Sequence, residues 1–241
     1  MSEDSVNIER NIEQVWERIS KAAARCGRLP EDIHLIAVSK TIEPERIIAA
    51  IDAGIINLGE NRVQEINEKY DIIKRNCNWH LIGHLQTNKV KYIIGKVKLI
   101  HSVDRLELVE EIQKRASKAG IIADILVQIN VADESTKFGI KPDEARNFVR
   151  LASSYRNLMV KGVMTVAPKC VNPEEVRWVF REMREIFIDI KKENIDNIDM
   201  KYLSMGMSND FEVAIEEGAN MVRIGTAIFG KRQTAAGTET Q

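Results

Sequence analysis

The chain has 241 residues, 35 basic and 36 acidic side chains and a formal net charge of −1, a length that suits one large α/β domain. That balance gives no electrostatic footing for nucleic acid or an anionic membrane, no apolar run approaches membrane-spanning length, and the N-terminus carries no signal-peptide core. Cys26, Cys77 and Cys170 are scattered, without a CxxC pair, which argues against a disulfide framework or a cysteine zinc site and for a reducing, cytoplasmic compartment.

The first predicted element is a helix over residues 4–26. Ile8, Ile12, Val15, Trp16, Ile19 and Ala23 recur in one apolar stripe, and Gly27 with Pro30 ends it. It reads as a packing helix against the main body. Residues 35–40 then run Leu-Ile-Ala-Val-Ser-Lys. This is too short for a helix, rich in branched residues and without polar alternation, so it predicts a strand covered on both faces, as in a parallel sheet. A helix follows over 43–53, with Pro44 suited to its first turn and Gly54 to its cap. The pattern repeats with strands at 57–61, 79–83, 98–103, 124–130, 159–166, 202–207 and 221–224. The helices between them fall at about 62–75, 86–94, 105–119, 142–153, 173–192 and 209–217, and a helical turn spans 225–230.

Strands alternating with helices imply a parallel sheet. Eight such units in this length fit an α/β fold of a single (β/α)8 TIM-type barrel with an extra N-terminal helix. A doubly wound open sheet would need fewer strands or more residues, and no GxGxxG follows the first strand. One domain is expected over 1–232. Residues 233–241, small and polar, are expected to be a disordered tail.

In a barrel all strand C-termini share one face, where ligands bind. Lys40 closes the first strand. Against apolar walls its amine could form a Schiff base with an aldehyde, although a strand-closing lysine can equally be solvated. Glu60, Asn61, Gly83, His84, Ser102, Asp104, Asn130, Thr165 and Ser208 fall at other strand ends. After the eighth strand, Gly225 and Thr226 open a turn whose N–H groups suit a phosphate, with Ser208 adding a hydroxyl. A tight turn with a capping serine is the competing reading. Arg223 lies within an apolar strand and needs a partner, either a protein carboxylate or a ligand ring nitrogen. Lysine, phosphate cradle and arginine together fit pyridoxal 5′-phosphate (PLP). His80 and His84 lie on a strand and its loop, without the pattern of a zinc site. His34 and His101 read as structural.

The motifs Ala37-Val38-Ser39-Lys40, Gly59-Glu60-Asn61-Arg62-Val63-Gln64-Glu65, the run from Trp79 to Lys89, His101-Ser102-Val103-Asp104, the run from Leu203 to Asp210 and residues 223–230 occur in one order and spacing. In these the chain resembles the pyridoxal phosphate homeostasis protein family, also called the YggS family. The resemblance implies a barrel similar to the N-terminal domain of alanine racemase and PLP as a Schiff base on Lys40. It also implies phosphate contacts at Ser208, Gly225 and Thr226, and Arg223 facing the pyridine nitrogen. Asn61 belongs with the cofactor residues by its motif; neither it nor His84 is assigned a contact. The expected function is a PLP carrier in intracellular PLP homeostasis without strong catalytic activity. An arginine leaves the ring nitrogen unprotonated and the ring a poor electron sink. The alternatives are a slow PLP-dependent amino-acid racemase using Lys40 as one base, and a cofactor-free Schiff-base aldolase. PLP-dependent apoenzymes are the expected recipients, with no nucleic acid or membrane partner and the chain acting as a monomer.

Overall fold

The computed structural model describes residues 3–134 and 136–230. Eight parallel strands close on themselves in chain order. They are β1 (His34–Val38), β2 (Asn57–Glu60), β3 (Asn78–Leu81), β4 (Val97–Val103), β5 (Ala123–Gln128), β6 (Leu158–Met164), β7 (Ile198–Ser204) and β8 (Met221–Ile224). β1 closes the ring by pairing with β2 on one side and β8 on the other. Helix α1 (Glu3–Arg25) precedes the barrel. The strands are followed by α2 (Pro44–Asp52), α3 (Val63–Ile72), a 3-10 helix over Thr87–Tyr92, α4 (Leu106–Ala119), α5 (Ala145–Ser153), α6 (Arg177–Lys192), α7 (Phe211–Glu216) and α8 (Thr226–Phe229). The expected TIM-type barrel with an added N-terminal helix is the fold observed. The tail expected at 233–241 lies outside the described residues.

Period-two alternation sorts β1, β5 and β8. On β8, Val222 and Ile224 point outward into the apolar layer under the helices, while Met221 points into the barrel with Ile36, Leu99, Leu126 and Met164. The stripe of α1, with Ile8, Ile12, Val15 and Ile19 all buried, packs on α2, α7 and α8. Each such side chain contributes about 1.5–3 kcal/mol of gross burial energy. The Arg18–Glu212 pair at its rim, 3.0 Å long and partly exposed, adds at most about 1 kcal/mol. Packing therefore docks this helix.

Several boundaries differ from expectation. β7 begins and ends earlier than 202–207, so Met205 and Met207 leave the sheet into the mouth loop, where Gly206 takes φ +92°. The segment expected as a helix over 86–94 is a 3-10 helix; Thr87, Asn88 and Val90 are poor α-helix formers, and Gly95 closes the run. The helices expected from 142 and 173 open with single 3-10 turns at Pro142–Glu144 and Pro173–Val176. β6 carries a bulge against β5, where the consecutive Ile125 and Leu126 pair with Val160 and Gly162.

Candidate functional site

β1 ends at Val38, so Ser39, Lys40 and Thr41 leave the sheet at the C-terminal mouth. Ser39 keeps strand pairing, its N–H donating to the Gly59 carbonyl at 3.0 Å, and its hydroxyl donates to Glu60 Oε1 at 2.7 Å. Thr41 has φ +62°, a left-handed conformation that β-branched residues rarely take, and its N–H donates to Glu65 Oε2 at 2.7 Å. Lys69, reaching from α3, donates to the Ser39 carbonyl at 2.8 Å, Glu60 Oε1 at 2.8 Å and Glu65 Oε2 at 3.0 Å. Both neighbours of Lys40 are thus tied to one buried cation and its two carboxylates. Glu60 is fully buried. Desolvation pushes its pKa up against the pull of Lys69 and Ser39, and among the described residues nothing bonds its Oε2. Sequence reasoning missed this cluster. The signal was available: Lys69 continues the buried stripe Val63, Ile66 on α3, where a lone cation requires a partner.

A cavity of about 400 Å3 opens beside this loop, and Lys40, Ser208, Arg223, Gly225 and Thr226 all line it. Asp210, Cys170 and Phe229, which were not singled out from sequence, line it too. Arg223 is 3 % exposed. Its Nη1 donates to Ser204 Oγ at 2.7 Å and its Nη2 to the Thr165 carbonyl at 2.8 Å. Burial lowers its pKa to about 10, with nearby Asp210 pulling the other way, so it remains a cation at neutral pH. Of the two partners expected for this arginine, a protein carboxylate or a ligand ring nitrogen, the carboxylate is not what it bonds: its protein partners are a hydroxyl and a carbonyl. Ser208 Oγ accepts from the Gly225 N–H at 3.3 Å. A Cβ on Gly225 would sit 3.2 Å from the Val38 carbonyl oxygen, so a small residue lets the turn close against β1. Within α8 the Ile228 and Phe229 N–H groups both donate to the Gly225 carbonyl at 2.9 Å, and the Thr226 and Ala227 N–H groups that open the turn have no partner inside it.

Asn61 does not line this cavity. It borders a neighbouring concavity with Arg62, His84 and Lys89, and its backbone packs so closely on Gly83 that a Cβ there would lie 2.5 Å from the Asn61 carbonyl oxygen. His84 stacks on Phe138 with ring centroids 3.8 Å apart. His80 points away from it into the barrel, 3.0 Å from His101, so the two histidines of that motif do not converge.

Residues 7–233 match the family model described as alanine racemase, N-terminal domain. The chain is 47% identical over 229 residues to the pyridoxal phosphate homeostasis protein of Aquifex aeolicus, covering 95% of this chain and 100% of that one. It is 38% identical over 231 residues to the protein of the same name in Escherichia coli K12, covering 94% and 97%. The chain belongs to the pyridoxal phosphate homeostasis protein family. Among solved structures, a protein of Bifidobacterium adolescentis superposes with TM-score 0.90 at 32% identity, covering 95% of this chain and 97% of that one. PipY of Synechococcus elongatus PCC7942, solved with PLP bound, superposes with TM-score 0.77 at 31% identity, covering 88% and 100%. An alanine racemase of Clostridium difficile, at 17% identity and TM-score 0.74 over 95% of this chain and 57% of that one, shares the barrel with the family.

Proposed function

We propose that this chain binds pyridoxal 5′-phosphate in the mouth cavity as a Schiff base on Lys40 and takes part in intracellular PLP homeostasis without strong catalytic turnover. The observation that carries this reading is convergence. An amine from the end of β1, a hydroxyl from the loop after β7, and a guanidinium and a glycine turn from β8 border one cavity of about 400 Å3, a size suited to a small cofactor. The donor set fits the group: an amine for the aldehyde, N–H and hydroxyl donors for the phosphate, and a permanent cation for the ring nitrogen. When bound, PLP supplies the aldehyde carbon to which the Lys40 amine adds as one water leaves. Ser208, Gly225 and Thr226 hold the phosphate. Arg223 donates a hydrogen bond and keeps its proton, so the ring nitrogen stays unprotonated.

The names of the relatives and the PLP-bound PipY support the same cofactor. PLP-dependent apoenzymes are the proposed recipients. The chain is proposed to act as a cytoplasmic monomer with residues 1–232 as one domain; no helix among the described residues is long and apolar enough to cross a membrane. The test is the visible spectrum of the purified protein mixed with PLP, before and after borohydride, with peptide mapping. A bleachable band and pyridoxyl mass on Lys40 are expected. A protein that stays colourless with PLP overturns the proposal. Rapid loss of α-deuterium from amino acids would replace the carrier by a racemase.

A further inference from the structure

Arg223 ends a line of buried hydrogen bonds that crosses the barrel. Its Nη1 donates to Ser204 Oγ at 2.7 Å. Ser204 Oγ lies 3.3 Å from His101 Nδ1, and His101 Nε2 lies 3.0 Å from His80 Nδ1. His80 Nε2 lies 3.4 Å from Asn57 Oδ1, which also accepts from Asn78 Nδ2 at 3.0 Å. Ser204, His101, His80 and Arg223 are all buried. Such barrel interiors are ordinarily filled by branched aliphatic side chains. A polar line there is tolerated only if every member is satisfied, and the cofactor reading gives neither histidine a task.

The line has one consistent direction. A guanidinium and an amide oxygen fix the two ends, since the first only donates and the second only accepts. Asn57 Oδ1 requires the hydrogen on His80 Nε2, which leaves His80 Nδ1 to accept from His101 Nε2 and His101 Nδ1 to accept from Ser204, while Ser204 accepts from Arg223. Each ring therefore carries its single hydrogen on Nε2. A second proton on either ring would leave a donor in the line without an acceptor. The surroundings agree. Burial, then the nearby His34 and Lys98, lower the His80 pKa to about 3. Burial, then His80 and Arg223, hold His101 well below its usual value.

We infer that His101 and His80 are positioning residues for Arg223, acting through Ser204 as a one-way hydrogen-bond line that fixes the plane of the guanidinium. With Nη2 held by the Thr165 carbonyl, rotating the group breaks two bonds, and its remaining N–H donors are held toward the cavity. This rests on the proposed function only for what Arg223 faces; the line exists without ligand.

The experiment is nitrogen-15 NMR of the full chain, first without PLP. Long-range correlation spectra report histidine tautomers, and hydrogen exchange at the Arg223 Nε–H reports how firmly the guanidinium is held. Both rings should be neutral with hydrogen on Nε2 and should not titrate from about pH 5 to 8. Ser204→Ala, which removes one oxygen, and His101→Phe should each speed Arg223 Nε–H exchange by about tenfold or more. His101→Gln, which can accept and donate at the two ring positions, should restore part of the protection. If His101→Phe fails to fold, Ser204→Ala decides alone. A ring carrying its hydrogen on Nδ1, a midpoint inside that pH range, or unchanged Arg223 exchange in Ser204→Ala would overturn the inference. With PLP added, Ser204→Ala should shift the visible band. If wild type gives no band while the tautomer and exchange results hold, the cofactor proposal fails and the positioning line stands.

Discussion

Lys69→Met tests how the Lys40 loop is held. The methionine fills a similar volume but removes three bonds, to the Ser39 carbonyl, Glu60 and Glu65. Glu60 has no exposed surface, so its charge is left with one hydroxyl donor, that of Ser39. Removing one member of a buried pair costs about 3–5 kcal/mol, against less than about 1 for a surface pair. Urea denaturation should show that loss near neutral pH. Its pH dependence carries a sign. Burial already raises the Glu60 pKa and Lys69 opposes that rise, so without Lys69 it rises further. A carboxyl whose folded pKa is raised contributes stability that is fully present below its unfolded value and lost as pH rises through the folded value. The deficit of Lys69→Met should therefore shrink toward about pH 4 and grow toward about pH 7. Adding Glu60→Gln removes the stranded charge, and the double variant should be less destabilised than the sum by roughly 0.5–3 kcal/mol. A loss below about 1 kcal/mol, a deficit independent of pH, or simple additivity would refute the reasoning.

Three further outcomes are expected. Ser208→Ala deletes the hydroxyl at the Gly225 turn and should weaken PLP retention in equilibrium dialysis about tenfold, roughly 1.4 kcal/mol; retention within about twofold of wild type counts against this turn as the phosphate site. Gly162→Ala puts a Cβ against the Tyr202 carbonyl oxygen at a residue with φ +144°, so urea unfolding should report a loss of about 3 kcal/mol or more, and a loss under about 1 would mean the bulge relaxes freely. Arg177 donates to Glu216 at 2.6 Å and Glu217 at 2.9 Å. Although desolvation alone would raise both carboxyls, Arg177 with Arg25 and Arg181 keeps them below their usual range. The stability they contribute is present above the unfolded carboxyl value and lost as pH falls through the folded values. Arg177→Ala should accordingly flatten the acid limb of a circular-dichroism pH titration below about pH 4.5, and a profile parallel to wild type removes this account.

The architecture was legible in the sequence because it rests on local patterning. Apolar runs of strand length alternating with stretches of helical period leave few topologies, and right-handed crossovers between parallel strands leave fewer. Lys40, Ser208, Arg223, Gly225 and Thr226 could be placed at one mouth for the same reason, since every strand C-terminus in a closed parallel barrel meets there. Asn61 sits at that mouth as well, but its backbone faces Gly83 and it borders a different concavity; proximity along a motif does not set which way a loop turns.

Pairings across the barrel were decided only by the tertiary structure. Residue alternation says that Arg223 points inward, but the identity of its partners depends on register between strands far apart in sequence, which brings Ser204 and Thr165 to it and His101 to Ser204. The Lys69 cluster likewise joins α3 to the ends of β1 and β2. Helical and strand periods are properties of a single segment and survive in sequence. A buried hydrogen bond depends on distances of about 3 Å between separate segments, and these are set only when the ring closes.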